Sequence, residues 1–134
     1  MGNEILQIKT SEKKFFLQYL MLKKPIFDMY ISSLTGKNEQ MPAKLIHVVA
    51  ELLYYNHKYA NLEDNERWEK IFKRNHRSMI CNNLSIKDSQ LNTYFTMLRN
   101  YKVIVNNRIG KPFVVSPDSK EYELVFKFSL NGEK

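Results

Sequence analysis

The chain has 134 residues, 43% of them hydrophobic, with eight Tyr, eight Phe and one Trp. That is one domain's length with enough apolar material for a ring-rich core, so wholesale disorder is excluded. The net charge of +7 favours a polyanionic partner, and the single cysteine, Cys81, excludes an intramolecular disulfide.

Residues 1–40 read as an N-terminal helical extension and 41–134 as the main domain. Ile5-Leu6-Gln7-Ile8 is a short strand candidate. Ser11 then precedes a helical pattern, with Phe15, Phe16, Tyr19, Leu20 and Leu22 near a 3.6 period. Pro25 is expected to break that helix and start another, which Gly36 ends. The polar run 36–40 is a loop.

Pro42 opens the next helix, over 42–59, with a broad apolar face of Leu45, Ile46, Val48, Val49, Leu52, Leu53 and Tyr55. Residues 61–65 form a loop with N-cap candidates. A short helix carrying Trp68, Ile71 and Phe72 follows, with a break near Arg74 or Asn75. Met79, Ile80 and Leu84 start a new register. Leu84-Ser85-Ile86-Lys87-Asp88 is a polar turn, and a further helix runs over 89–100. Three strands are expected after it, at 102–105, 109–115 and 121–130. Asn106-Asn107 is the first turn and Ser116-Pro117-Asp118-Ser119 the second. Tyr122, Leu124, Phe126, Phe128 and Leu130 alternate as a half-buried strand does.

Helix, tight turn, helix, hairpin over about 42–130 resembles a winged helix-turn-helix DNA-binding domain. The pattern lies in Arg77 to Ile86, then Leu91 and Phe95, then Met97 to Ile104. The resemblance implies an α+β fold, with helices followed by a C-terminal antiparallel β-hairpin or three-stranded sheet. It also implies that Leu98 and Ile104 lock the third helix to the wing. The wing tip, Asn106-Asn107-Arg108, is short and carries one charge.

Charge distribution agrees with such a reading. Between Arg67 and Lys111 lie ten basic residues and two acidic ones, a net +8 that exceeds the charge of the whole chain. With Leu91, Tyr94 or Phe95, and Leu98 turned inward, Ser89, Gln90, Asn92, Thr93, Thr96, Arg99 and Asn100 remain on the outer faces. Asn and Gln can bond adenine bidentately and Arg guanine, so these are the candidate base contacts. Lys87, Lys102, Arg108 and Lys111 are the candidate phosphate contacts. Lys70, Lys73, Arg74, His76 and Arg77 form a second basic cluster, as fit for phosphate as for a solvated helix face. At helical spacing Tyr54, Tyr55 and Tyr59 read as packing, and Trp68 as core.

Catalysis is not expected. His47, His57 and His76 have no ligand spacing with Cys81, so no zinc site is expected. Cys81 lies among apolar residues as a small hydrophobe, and the four glycines form no phosphate loop. Glu63, Asp64 and Glu66 suit a helix start better than acid–base chemistry. No cofactor is expected.

No apolar run approaches the roughly 20 residues that span a bilayer, and no signal-peptide pattern opens the chain. Leu6 stands where a myristoylation signal needs Ser or Thr. The expected setting is cytoplasmic. Abundant Asn, Lys, Ile, Tyr and Phe point to an AT-rich gene, in which case a phage origin extends the setting to host cytoplasm or virion.

The expected function is binding of double-stranded DNA, as a regulator or an accessory of replication or packaging. The alternative is a virion or assembly component that uses the winged fold as a protein–protein scaffold. The apolar N-terminal segment, with Phe15, Phe16, Tyr19, Leu20, Ile26, Phe27, Met29 and Tyr30, then serves as a core element, a dimer surface or a partner surface. A third reading is an inhibitor that covers another protein's nucleic-acid site.

Overall fold

The structure is a computed structural model that describes residues 11–110. Five helices in chain order account for most of that span: α1 Glu12–Thr35, α2 Ala43–Lys58, α3 Asp64–Ile71, α4 Arg74–Leu84 and α5 Asp88–Asn100.

Helix α1 begins at Ser11, whose Oγ accepts the Lys14 N–H at 3.3 Å. It ends at Gly36, whose φ of +72° is the left-handed stop that glycine adopts without strain. It is continuous through Pro25, contrary to the expected break. A ring at position 25 removes the N–H that would bond the Met21 carbonyl and costs about 3 kcal/mol. Pro25 and Met21 both face solvent, so water can satisfy that carbonyl. Burial supplies the compensation. Phe16 and Leu20 before Pro25, and Phe27 and Ile31 after it, are each 1% exposed or less along one stripe. Two such side chains beyond the proline contribute roughly 1.5–3 kcal/mol each.

The loop after α1 folds back onto it. Asp28 accepts the Met41 N–H at 2.6 Å through one carboxylate oxygen and pairs with Lys24 at 2.9 Å through the other. The Ser32 hydroxyl donates to the Glu39 carbonyl at 3.1 Å.

Helix α2 is the central element and packs against α1, α3, α4 and α5. Its burial explains its broad apolar face: Leu45, Ile46, Val48, Val49, Leu52, Leu53 and Tyr55 are all inside. The polar groups carried in with them are bonded. Glu51 Oε1 and the Tyr55 hydroxyl accept the Asn83 side-chain amide at 2.8 and 3.0 Å, which ties α2 to α4. Asn56 accepts the Arg67 Nε–H at 2.6 Å, which ties α2 to α3. One continuous core runs from Phe16 in α1 to Ile109 after α5.

The α+β expectation is corrected here. Among the described residues the fold is all-helical, and the only β feature is one isolated antiparallel bridge between Ile104 and Ile109. Asn106 and Asn107, both at φ +54°, turn the chain while Val105 and Arg108 bond each other's backbone, which is the arrangement of a type I′ turn. The alternation read as a strand at 102–105 reflects something shorter. Lys102 is left-handed at φ +61°, and Val103 and Ile104 tuck under the end of α5 by bonding the Leu98 carbonyl. A wing of three paired strands is therefore not supported. The expected strands at 5–8 and 121–130, and the 109–115 strand past Gly110, lie outside the described residues.

Candidate nucleic-acid interface

Helices α4 and α5 are joined by a turn of three residues. Ser85, at φ +55°, stops α4 with two bonds: its own N–H to the Asn82 carbonyl at 3.3 Å and the Ile86 N–H to the Cys81 carbonyl at 3.0 Å. This is the Schellman pattern, with Ser in the position that usually holds Gly. Lys87 then precedes α5. The Gln90 side-chain oxygen reaches back to accept the Lys87 N–H at 2.9 Å and closes the first turn.

The inner face of α5 is Leu91, Phe95 and Leu98, each 1% exposed or less. Tyr94 is half-buried beside them. Ser89, Gln90, Asn92, Thr93, Thr96, Arg99 and Asn100 are exposed. Several of their polar groups are engaged. The Thr93 and Thr96 hydroxyls donate to the Ser89 and Asn92 carbonyls at 3.1 and 3.0 Å. Gln90 is a cap, as above. Asn92 accepts from Arg77 of α4.

The cations sort in the same way. Lys87 and Lys102 are exposed at the two ends of α5, and neither has an ionic partner among the described residues. Arg108 is engaged: its guanidinium bonds Asp64 and Asn65, which pins the 106–107 turn to the start of α3. Lys111 lies outside the described residues. Of the second cluster, Lys70 sits 4.2 Å above the Tyr59 ring, and Lys73 and Arg74 are exposed at the start of α4. Arg67, counted in the basic excess, is 6% exposed and bonded to Asn56, the Leu62 carbonyl and Asp64.

Arg77 is the residue that links the two helices, and its role is not visible from spacing. Its Nη2 donates to Asp88 Oδ1 at 3.3 Å and to Asn92. Its guanidinium carbon lies 5.4 Å from the Phe95 ring centre, and that of Arg99 lies 5.8 Å from the same ring. Arg74, Arg77, Ser78, Asp88 and Asn92 line an open cleft of about 540 Å³ between α4 and α5. No signal short of the helix pairing itself would have joined residues 11 and 15 apart.

Among the described residues four titratable groups depart from their ordinary pKa values, each chiefly through burial. Burial pushes the Cys81 thiol up, with the Asp88 carboxylate adding to the rise and Arg77 opposing it. His76 is 4% exposed and its pKa is lowered by burial and by Lys70 and Lys58. Burial also raises the Tyr55 phenol and, with Glu39, the Tyr101 phenol. Among the described residues no three His, Cys, Asp or Glu side chains gather as metal ligands, and no helix is long and apolar enough to cross a membrane. No protein-family model, curated protein or solved structure matches the chain.

Proposed function

We propose that the protein is a non-catalytic binder of double-stranded DNA that uses the α4–turn–α5 unit. The carrying observation is that Lys73, Arg74, Lys87, Arg99 and Lys102 are exposed along that unit, with no ion pair among the described residues. Once Arg67 and Arg108 are withdrawn into ion pairs, these five still outnumber Asp88, the only carboxylate on the two helices. A duplex releases condensed counterions to solution when these groups neutralise its phosphates, and so gains affinity whatever its sequence. Arg99 and Asn100, exposed on the outer side of α5, are the groups best suited to base edges. The phage-type roles in regulation, replication or packaging fit such a binder. A 30-bp duplex at micromolar protein and low salt should be retarded in a native gel. Unchanged mobility contradicts the proposal.

A second reading rests on a separate observation. Leu22, Ile26 and Met29, spaced four and three apart on α1, are 54%, 43% and 72% exposed. Such a stripe suits a protein partner. Because α1 completes the core over α2, its deletion would strip α2, so charge substitution is the cleaner test. Under this reading Ile26→Glu with Met29→Glu lowers the mass seen by light scattering or abolishes a partner's capture while the fold persists.

A further inference from the structure

The cleft between α4 and α5 carries more than its share of a basic surface. Arg74 and Arg77 stand one turn apart on α4 and both line it, opposite a single carboxylate, Asp88, so the cleft keeps a net charge of +1. The Arg77 guanidinium has five N–H donors, and its bonds to α5 use only Nη2. Its Nε and Nη1 groups remain for another acceptor, while the Phe95 ring and Asn92 already hold the plane in place. A guanidinium fixed in this way has lost much of its rotamer freedom before any ligand arrives, and each remaining N–H group can donate one charge-assisted hydrogen bond to a phosphate oxygen. Arg74 is exposed with no partner among the described residues, and the Ser78 hydroxyl, 3.3 Å from the Arg74 carbonyl, lies on the same lining.

We propose that this cleft is a site for a phosphodiester of the nucleic-acid backbone, taken by Arg74 and Arg77, and that Asn92 positions Arg77 rather than reading a base. The inference rests on the DNA-binding reading above and assigns its register to α4 as well as α5. It separates two roles that an exposed Asn on α5 leaves open. A base-reading Asn discriminates among sequences, whereas a positioning Asn affects all of them alike.

The test is fluorescence anisotropy of an AT-rich and a GC-rich 30-bp duplex across a salt series, with circular dichroism confirming that each variant is folded. Arg77→Ala should lower the slope of log affinity against log salt by about one. Arg77→Lys, which keeps the charge but not the directed guanidinium donors, should keep the slope and lose affinity. It stands in if Arg77→Ala does not fold. Asn92→Ala should weaken both duplexes by a common factor. A slope unchanged by Arg77→Ala, full affinity in Arg77→Lys, or a changed preference between duplexes in Asn92→Ala overturns the assignment while leaving DNA binding intact. Wild-type protein that binds neither duplex overturns the DNA reading and the cleft with it.

Discussion

The imidazole of His76 lies between α2 and α4, where protonation is disfavoured. Its Nε2 is 2.8 Å from the Tyr59 hydroxyl, the Tyr55 ring meets it edge-on at 4.6 Å, and its Nδ1 is buried without a partner among the described residues. Burial first, then the charges of Lys70 and Lys58, lower its pKa from the ordinary 6.5. The unfolded chain therefore takes up this proton at a higher pH than the native protein does. The resulting stability is complete above about pH 6.5 and is lost as pH falls through that value toward the lower native pKa. Melting temperatures at pH 7.5 and pH 5 should differ more in the wild type than in His76→Gln, since carboxylates titrate in both. An equal drop contradicts this account. By composition His76 belongs with Lys70, Lys73, Arg74 and Arg77. Only the packing of α4 on α2 separates a buried neutral ring from its exposed neighbours.

At the scale of elements, a local rule failed where tertiary burial outweighed it. Pro25 marks a helix boundary by local rules, yet α1 passes through it because Phe27 and Ile31 continue the stripe of Phe16 and Leu20. Since Pro25 is exposed, Pro25→Ala restores an N–H to the Met21 carbonyl at no loss of burial. The gain, offset by the freer unfolded chain, should be on the order of 1–2 kcal/mol, read as a higher denaturation midpoint. An unchanged or lower midpoint indicates a helix that already depends on the proline. The α4–α5 turn has the opposite character, since local chemistry sets it. Ser85 occupies a left-handed position that costs an L-residue about 1–2 kcal/mol. Ser85→Gly should therefore stabilise by about 0.5–1 kcal/mol after the entropy of an extra glycine is counted. A loss of stability contradicts this.

The helices α2 and α5 were legible because their apolar residues recur at helical spacing and the inner face of α5 follows from Leu91, Phe95 and Leu98. The region after α5 was misread because Val103, Ile104 and Val105 are β-branched whether they pair in a sheet or plug the end of a helix. Propensity does not distinguish the two. The candidate site was legible as a charge count and not as geometry. Arg108 and Arg67 add to the basic excess, yet both pair with Asp64, Arg67 from three residues along α3 and Arg108 from across the fold, while Arg77 and Asn92 meet only because α4 and α5 pack.

For the molecule as a whole, the central feature is that one core joins α1 to the helices that carry the basic surface. Phe27 is 1% exposed, and Phe27→Ala should cost about 3–5 kcal/mol. Trp68, the only tryptophan, is buried in α3 and reports from outside α1. Its fluorescence and the far-ultraviolet dichroism should lose structure at one common, lowered midpoint in this variant. Separate transitions would mean that α1 unfolds on its own.

The claim on which the functional account depends is that the exposed cations of α4, α5 and their turn meet the phosphates of a duplex. Affinity of the wild-type protein for a 30-bp duplex, followed from low to physiological salt, tests it most directly. The account predicts measurable binding at low salt and a linear fall of log affinity with log salt. With Arg99 given to a base edge and Arg77 joining Lys73, Arg74, Lys87 and Lys102, five phosphate contacts at about −0.9 each would give a slope between roughly −4 and −5. No binding at micromolar protein in low salt, or an affinity indifferent to salt, contradicts it.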